Sequence, residues 1–248
     1  MLDRADNPGW RPDAALTQLI LGEDPLATID ALEKALRDGA PAHLVARQVA
    51  YAAALRLARF ATSNEVTDWF NPQHTFVYCN GAYQAVKRSP TPDVVRGVFH
   101  GAMSVYMDRY LNVPPARSPS ERNTRNDLPT TVDALRRELL RELDQRANVE
   151  RAADIVSRYV SLDLPLPGLI DMLAFATVRE DLDFHSLQVL EAGVNQCHAW
   201  DDGNGVEREN IFVGVARNLA AHCPTRRAGQ QTAIIAERLH RGEKMFEA

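Results

Sequence analysis

Two histidines stand at matching places in this chain. His74 opens the run HTFVYCNGAYQAVKR and His185 opens HSLQVLEAGVNQCHA. Each run reaches two small residues seven and eight positions later, Gly81-Ala82 and Ala192-Gly193, and then turns polar. Neutral imidazole is the commonest side-chain metal ligand, and helix bundles build metal centres from side chains on facing helices. Histidine is not a preferred helix cap, so two imidazoles at equivalent helix starts are candidates for one shared ion. The plain alternative is that each is a hydrogen-bonded polar residue near the beginning of its helix.

Two further stripes bear on this chemistry. Gly97, His100, Gly101, Ser104 and Asp108 recur at helical spacing within an apolar segment, as do Gly214, Asn218 and His222. Glycine inside a helix costs about 1 kcal/mol relative to alanine, so these stripes predict close packing or the lining of a polar pocket. Glu191, set between Leu190 and Ala192, is a candidate ligand or a hydrogen-bonding partner to an imidazole; its counterpart in the first run is Asn80. The plain alternative for Glu191 is a buried hydrogen bond or a surface acid. Glu65 and Asp68 lie shortly before His74, and His43, His198 and His240 read as surface residues. No HExxH, ExxH or CxxC pattern occurs, nor a phosphate-binding glycine loop, a dinucleotide fingerprint or GxSxG. Any metal site must therefore be assembled from residues distant along the chain.

The elements that must position these residues read as helices throughout. Apolar residues recur at spacings of three and four, and no sustained alternation marks a strand. Asp24-Pro25 and Thr91-Pro92 are helix starts, Asp38-Gly39 a stop, and Asn71-Pro72 a break immediately before His74. The predicted fold is all-α: a single helical-bundle domain over 1–248, made of two pseudo-repeated three-helix units plus extra helices. Repeat one covers about 41–111 and repeat two about 165–223. A polar, proline-rich linker fills 112–129, connecting helices fill 130–162, and a C-terminal helix spans 225–247. In the repeat, Pro41…Ala50-Tyr51-Ala52 matches Pro165…Ala174-Phe175-Ala176, and the segment 61–73 is an insertion in the first copy. A pseudo-two-fold arrangement would bring His74 and His185 towards one place.

Composition narrows the function classes. The net charge of -5 argues against a general nucleic-acid binder. No apolar run approaches the roughly 20 residues that span a bilayer. Residues 1–12 read as a loose, polar arm without the apolar core of a signal peptide. The three cysteines are scattered, and Cys79 and Cys197 fit as small buried residues. The expectation is a cytoplasmic protein without nucleic-acid or membrane partners.

The segments DWFNPQHTFVYCNGAYQA, VFHGAMSVYMDRYLN, DFHSLQVLEAG and LAAHCPTRRAGQQTAIIAERLHRGE resemble an uncharacterised all-helical bacterial domain that is often followed by a C-terminal Rieske iron–sulfur domain. The layout of helices beginning His-x-hydrophobic in two similar halves is also similar to questin-oxidase-like helical oxygenases. That resemblance implies non-haem iron, dioxygen activation, and a small apolar or aromatic substrate in a pocket between the halves. It carries over His74, His185 and His222 as iron ligands, with His100 a further candidate and His100 or Glu191 completing or orienting the shell. The chain departs from the first pattern in holding no CxH…CxxH Rieske ligand set, so electrons would come from a ferredoxin or Rieske partner or from the substrate. The competing expectation is a non-catalytic helical interaction module that docks such an electron-transfer partner.

Overall fold

A computed structural model describes residues 7, 9–11, 13–146, 148–200 and 205–244. Among the described residues there are only helices, turns and loops, and no strand. The helices are α1 (Ala14–Ile20), α2 (Pro25–Arg37), α3 (Ala42–Ala58), α4 (Phe70–Arg88), α5 (Pro92–Met107), α6 (Pro119–Arg122), α7 (Val132–Leu143), α8 (Val149–Ser161), α9 (Leu166–Arg179), α10 (Phe184–Ala199), α11 (Val206–Ala221) and α12 (Ala228–His240). Single 3₁₀ turns precede α4 (Val66–Trp69) and follow α5 (Asp108–Leu111). None of the described helices is long and apolar enough to cross a membrane.

The bundle is built around α3. Its alanines keep its radius small, and most of its residues are buried. A helix covered on all sides needs no polar face, and α3 packs against α4, α5 and α11. Gly214 sets the closest approach: a Cβ there would sit 3.1 Å from the Ala54 carbonyl oxygen and 3.3 Å from the Ala58 nitrogen. Gly101 plays the same part between α5 and α4, where a Cβ would meet the Cys79 sulfur at 2.9 Å. These two glycines of the stripes thus serve close packing. All three cysteines are buried and free.

Several boundaries differ from the sequence expectation for identifiable reasons. Pro72 does not break a helix. It sits in the first turn of α4, where its missing N–H has no carbonyl to lose, so His74 lies on the second turn. The helix expected to run to Leu111 ends at Met107 and tightens into a 3₁₀ turn. Segment 112–129, read as a polar linker, is strapped to the body. Ala116 N–H donates to the Arg59 carbonyl at 2.9 Å, Arg122 ion-pairs with Asp154, Arg125 reaches Ser157 at 2.9 Å, and Leu128 is buried. Residues 201–204 of the turn before α11, and most of the expected N-terminal arm, lie outside the described residues.

The two sets of three helices pack differently. Helices α3, α4 and α5 all touch one another, whereas α10 packs on α4 and α11 more than on α9, and α11 packs mainly on α8 and α3. At the end of α9, Glu180 accepts from the Thr225 N–H and hydroxyl, both at 2.8 Å, and from Arg227 at 2.9 Å. Asp181 then accepts from the first N–H groups of α12. Beyond this clamp no residue of α12 is buried.

Candidate functional site

Three helix segments meet at one edge of the bundle: the first turns of α4, the start of α10 and the end of α11. Asp183 caps α10 by accepting the His185 N–H at 3.0 Å, which fixes His185 as the second residue of that helix. His74 reaches it from the second turn of α4. Their rings lie 4.5 Å apart between centroids, edge to face at 78°. Phe70, one turn before His74 on the same helix, stacks on His74 at 6.0 Å and lies 5.1 Å from the His222 ring. Phe184 packs 4.0 Å from the His185 ring. The cluster is therefore three imidazoles and two phenyl rings. His74 is exposed, and His185 and His222 are half-buried.

Hydrogen bonding leaves the imidazoles free nitrogens. His222 Nδ1 lies 2.8 Å from the Asn218 carbonyl oxygen. A carbonyl only accepts, so Nδ1 carries the proton and Nε2 holds a lone pair; that Nε2 is buried without a partner. His185 Nδ1 contacts Gln188 Oε1 at 3.2 Å, which directs its Nε2 elsewhere. Although His74 is exposed, partial desolvation by its neighbours pushes its imidazole below the ordinary range, and His185 adds to this against Asp183. Burial does the same to His222, opposed by the Asn218 carbonyl and Asp183. His74 and His222 are thus neutral bases near neutral pH, the form that binds metal or accepts a proton.

The other sequence candidates stand apart. His100 is exposed on α5, and its carbonyl accepts the Ser104 hydroxyl. Glu191 is exposed and accepts from Asn195 at 2.8 Å on its own helix. No ring contact or ion pair joins either to the three imidazoles among the described residues. Among those residues no three His, Cys, Asp or Glu side chains converge closely enough to hold a metal ion. Glu65 and Asp68 form the reciprocal cap of the 3₁₀ turn before α4. Sequence reasoning missed Phe70, Phe184 and Asp183, and also Gln73 and Gln196, the buried partners of the Asn218 and Asn80 that it had singled out. Gln196 donates to Asn80 at 3.0 Å, and Asn218 donates to Gln73 at 3.3 Å. The seven-residue spacing of Gln73 and Asn80 inside an otherwise apolar face was the available signal.

No family model matches the chain, and no curated protein or solved structure shows significant similarity to it.

Proposed function

We propose that His74, His185 and His222 are the ligands of a non-haem iron centre, and that the protein is an oxygenase-like enzyme acting on a small apolar or aromatic molecule. The observation carrying this reading is the edge-to-face contact of two imidazoles from helices more than a hundred positions apart, with the unpartnered Nε2 of His222 on the same aromatic neighbour. The donor types suit a divalent transition metal, since neutral imidazoles bind iron and the Asn218 carbonyl holds His222 in the tautomer that leaves Nε2 free, but among the described residues the three rings as placed do not converge on one ion. Nitrogen–metal bonds of about 2.1 Å would require the rings to reorient, a movement open to the exposed His74 and more restricted for the half-buried His185 and His222. The Asp183 carboxylate favours positive charge at His74 and His222. Bound iron would supply dioxygen activation. The chain's own part is to orient the imidazoles, to offer Phe70 and Phe184 as aromatic walls, and to limit water on the His222 side.

A second reading has its own observation. Phe175, Val178, Phe184 and Leu187 expose apolar surface on α9 and α10, beside a C-terminal helix with nothing buried. This favours a helical module that docks a protein partner, such as a Rieske-type or ferredoxin electron donor, with structural histidines.

Metal analysis of protein purified anaerobically, followed by Fe(II) and Co(II) titration, separates the two. Near-stoichiometric metal, abolished in His74→Ala/His185→Ala while the helical spectrum survives, supports the enzyme. A metal-free protein that takes up neither ion overturns it.

A further inference from the structure

At the opposite end of α10 from His185, roughly 22 Å away at 1.5 Å per residue, a separate cavity of about 300 Å³ opens between the start of α1, the middle of α3 and the first turn of α11. Its lining includes Asp13, Gln48, Tyr51, Leu55, Trp200 and Glu207. Two features distinguish it.

The first is an aromatic corner. The Tyr51 and Trp200 rings lie 4.9 Å apart at 50°. Arg47, which does not line the cavity, braces Trp200 with its guanidinium 4.4 Å from the ring and donates to the Ala199 carbonyl at 2.5 Å. The second is unmet hydrogen bonding. Gln48 Oε1, Glu207 Oε2 and Trp200 Nε1 are all buried atoms without a partner, and all belong to side chains of this one lining. The Gln48 side chain is 2% exposed. Its orientation is fixed, because Nε2 donates to the Asp13 carbonyl at 3.1 Å and to the Thr17 hydroxyl. The unpartnered atom is therefore the oxygen. A buried polar group without a partner is costly and calls for an explanation in a missing ligand, ion or water.

The chemistry of the lining selects the ligand. Among the described residues its lining holds two carboxylates, Asp13 and Glu207, and no lysine, arginine or histidine. Gln48 Oε1 and Glu207 Oε2 call for N–H donors. Trp200 N–H calls for an acceptor. The Tyr51 hydroxyl accepts from Asn210 at 3.0 Å, so its proton is a second donor. We propose that this cavity binds a small organic ammonium compound, with its charged nitrogen donating to Glu207 and Gln48, its carbon skeleton against Tyr51 and Trp200, and an oxygen accepting from Trp200 or Tyr51. Flat aromatic faces add cation–π attraction to the carboxylate pairing, and the volume is at the small end of the range for ligand pockets. The inference is independent of the histidine site.

Isothermal titration calorimetry with tyramine, 4-hydroxyphenylacetate and p-cresol tests it, because the three share a ring and differ in charge. Saturable tyramine binding, at least ten-fold tighter than either analogue and weakened at least ten-fold in Glu207→Gln, supports the assignment. No tyramine binding at millimolar concentration, equal binding of the anion, or an affinity unchanged in Glu207→Gln overturns it. Should Glu207→Gln lose the helical spectrum, Trp200→Phe decides: a loss of five-fold or more supports the site and an unchanged affinity overturns it. The double variant His74→Ala/His185→Ala should bind tyramine as the parent does; a loss there would place the ligand elsewhere.

Discussion

Arg217 and His222 lie five residues apart at the same end of α11, yet their surroundings differ in kind. Arg217 is 1% exposed. Its guanidinium donates to the Ala58 carbonyl at 2.5 Å and the Phe60 carbonyl at 2.9 Å, ion-pairs with Glu150 at 2.9 Å, and lies over the Trp69 ring. It closes the C-terminal end of α3 and ties that end to α8. His222 makes one bond, to a carbonyl of its own helix, and keeps a buried nitrogen open beside an aromatic cluster. One polar group is committed on several sides to holding helices together. The other is oriented and left available. Arg217 also keeps a buried Nε without a partner, but that N–H can only donate; an open lone pair at a fixed position, rather than polarity or an unmet bond as such, separates a group that can take a metal ion from one that supports the fold.

The largest expected effect tests the committed side. Arg217→Met should cost about 3 kcal/mol, because it leaves two carbonyls and part of the Glu150 charge unpaired in the interior. Urea denaturation measures this, and metal affinity should stay the same in the folded fraction. A loss below about 1 kcal/mol would mean that Arg122, which also pairs with Glu150, carries the junction alone. The available side should respond in the reverse manner. His74→Ala/His185→Ala should lower Co(II) affinity by about 100-fold or more, the order seen when direct or supporting ligands are removed, yet move Tm by only about 2 °C, since His74 is exposed. A large drop in Tm without change in Co(II) binding would place these histidines with Arg217.

The helical class was legible because caps and punctuation agree with the apolar period. Asp24 accepts from the Leu26 and Ala27 N–H groups ahead of Pro25 on α2, and Thr91 caps α5. His74 and His185 do meet, but not at the equivalent helix starts that the sequence suggested: His74 lies on the second turn of α4, His185 is the second residue of α10, and the two sets of helices pack differently around them. Glu191 shows where such reading fails. Apolar neighbours at positions 190 and 192 do not fix its direction, since each helical residue turns by about 100°, and α10 keeps a face towards solvent on which Leu187 also lies. The stripe of Gly97 and Gly101 was read equally as a pocket lining or as close packing; only the distance to Cys79 decides for packing. Trp200, Gln48 and Glu207 come together from three helices, and no local spacing announces that.

Asp108 offers an intermediate case, a buried acid only partly partnered. It is 7% exposed, one of its oxygens has no partner, and burial pushes its carboxyl up to about 6 against a hydrogen bond from Thr75 and the charge of Arg56. A raised pKa means that the folded state holds its proton longer than the unfolded chain, so the stabilisation is present at low pH and is lost as pH rises from about 4 to 6. Comparing parent with Asp108→Asn, the stability difference should shift against the parent by about 2 kcal/mol between pH 4 and pH 7. A difference independent of pH would mean that Asp108 is charged throughout and held by Arg56, closer to the Arg217 pattern.

His222 should give the smallest effect, of opposite sign. Its pKa is lowered by burial, with the Asn218 carbonyl and Asp183 opposing. The unfolded chain then takes up its proton first as pH falls below about 6.5. The stability linked to a neutral His222 is therefore complete above that value and declines as pH drops through the lower folded pKa. Relative to His222→Gln, which does not titrate, the parent should lose stability between pH 7 and pH 5. Co(II) should enlarge this difference at pH 7 and leave it unchanged at pH 5, because a proton and a metal ion compete for the same Nε2. If Co(II) stabilises parent and His222→Gln equally at pH 7, the open nitrogen of α11 is not a ligand, and any metal must rest on His74 and His185 alone.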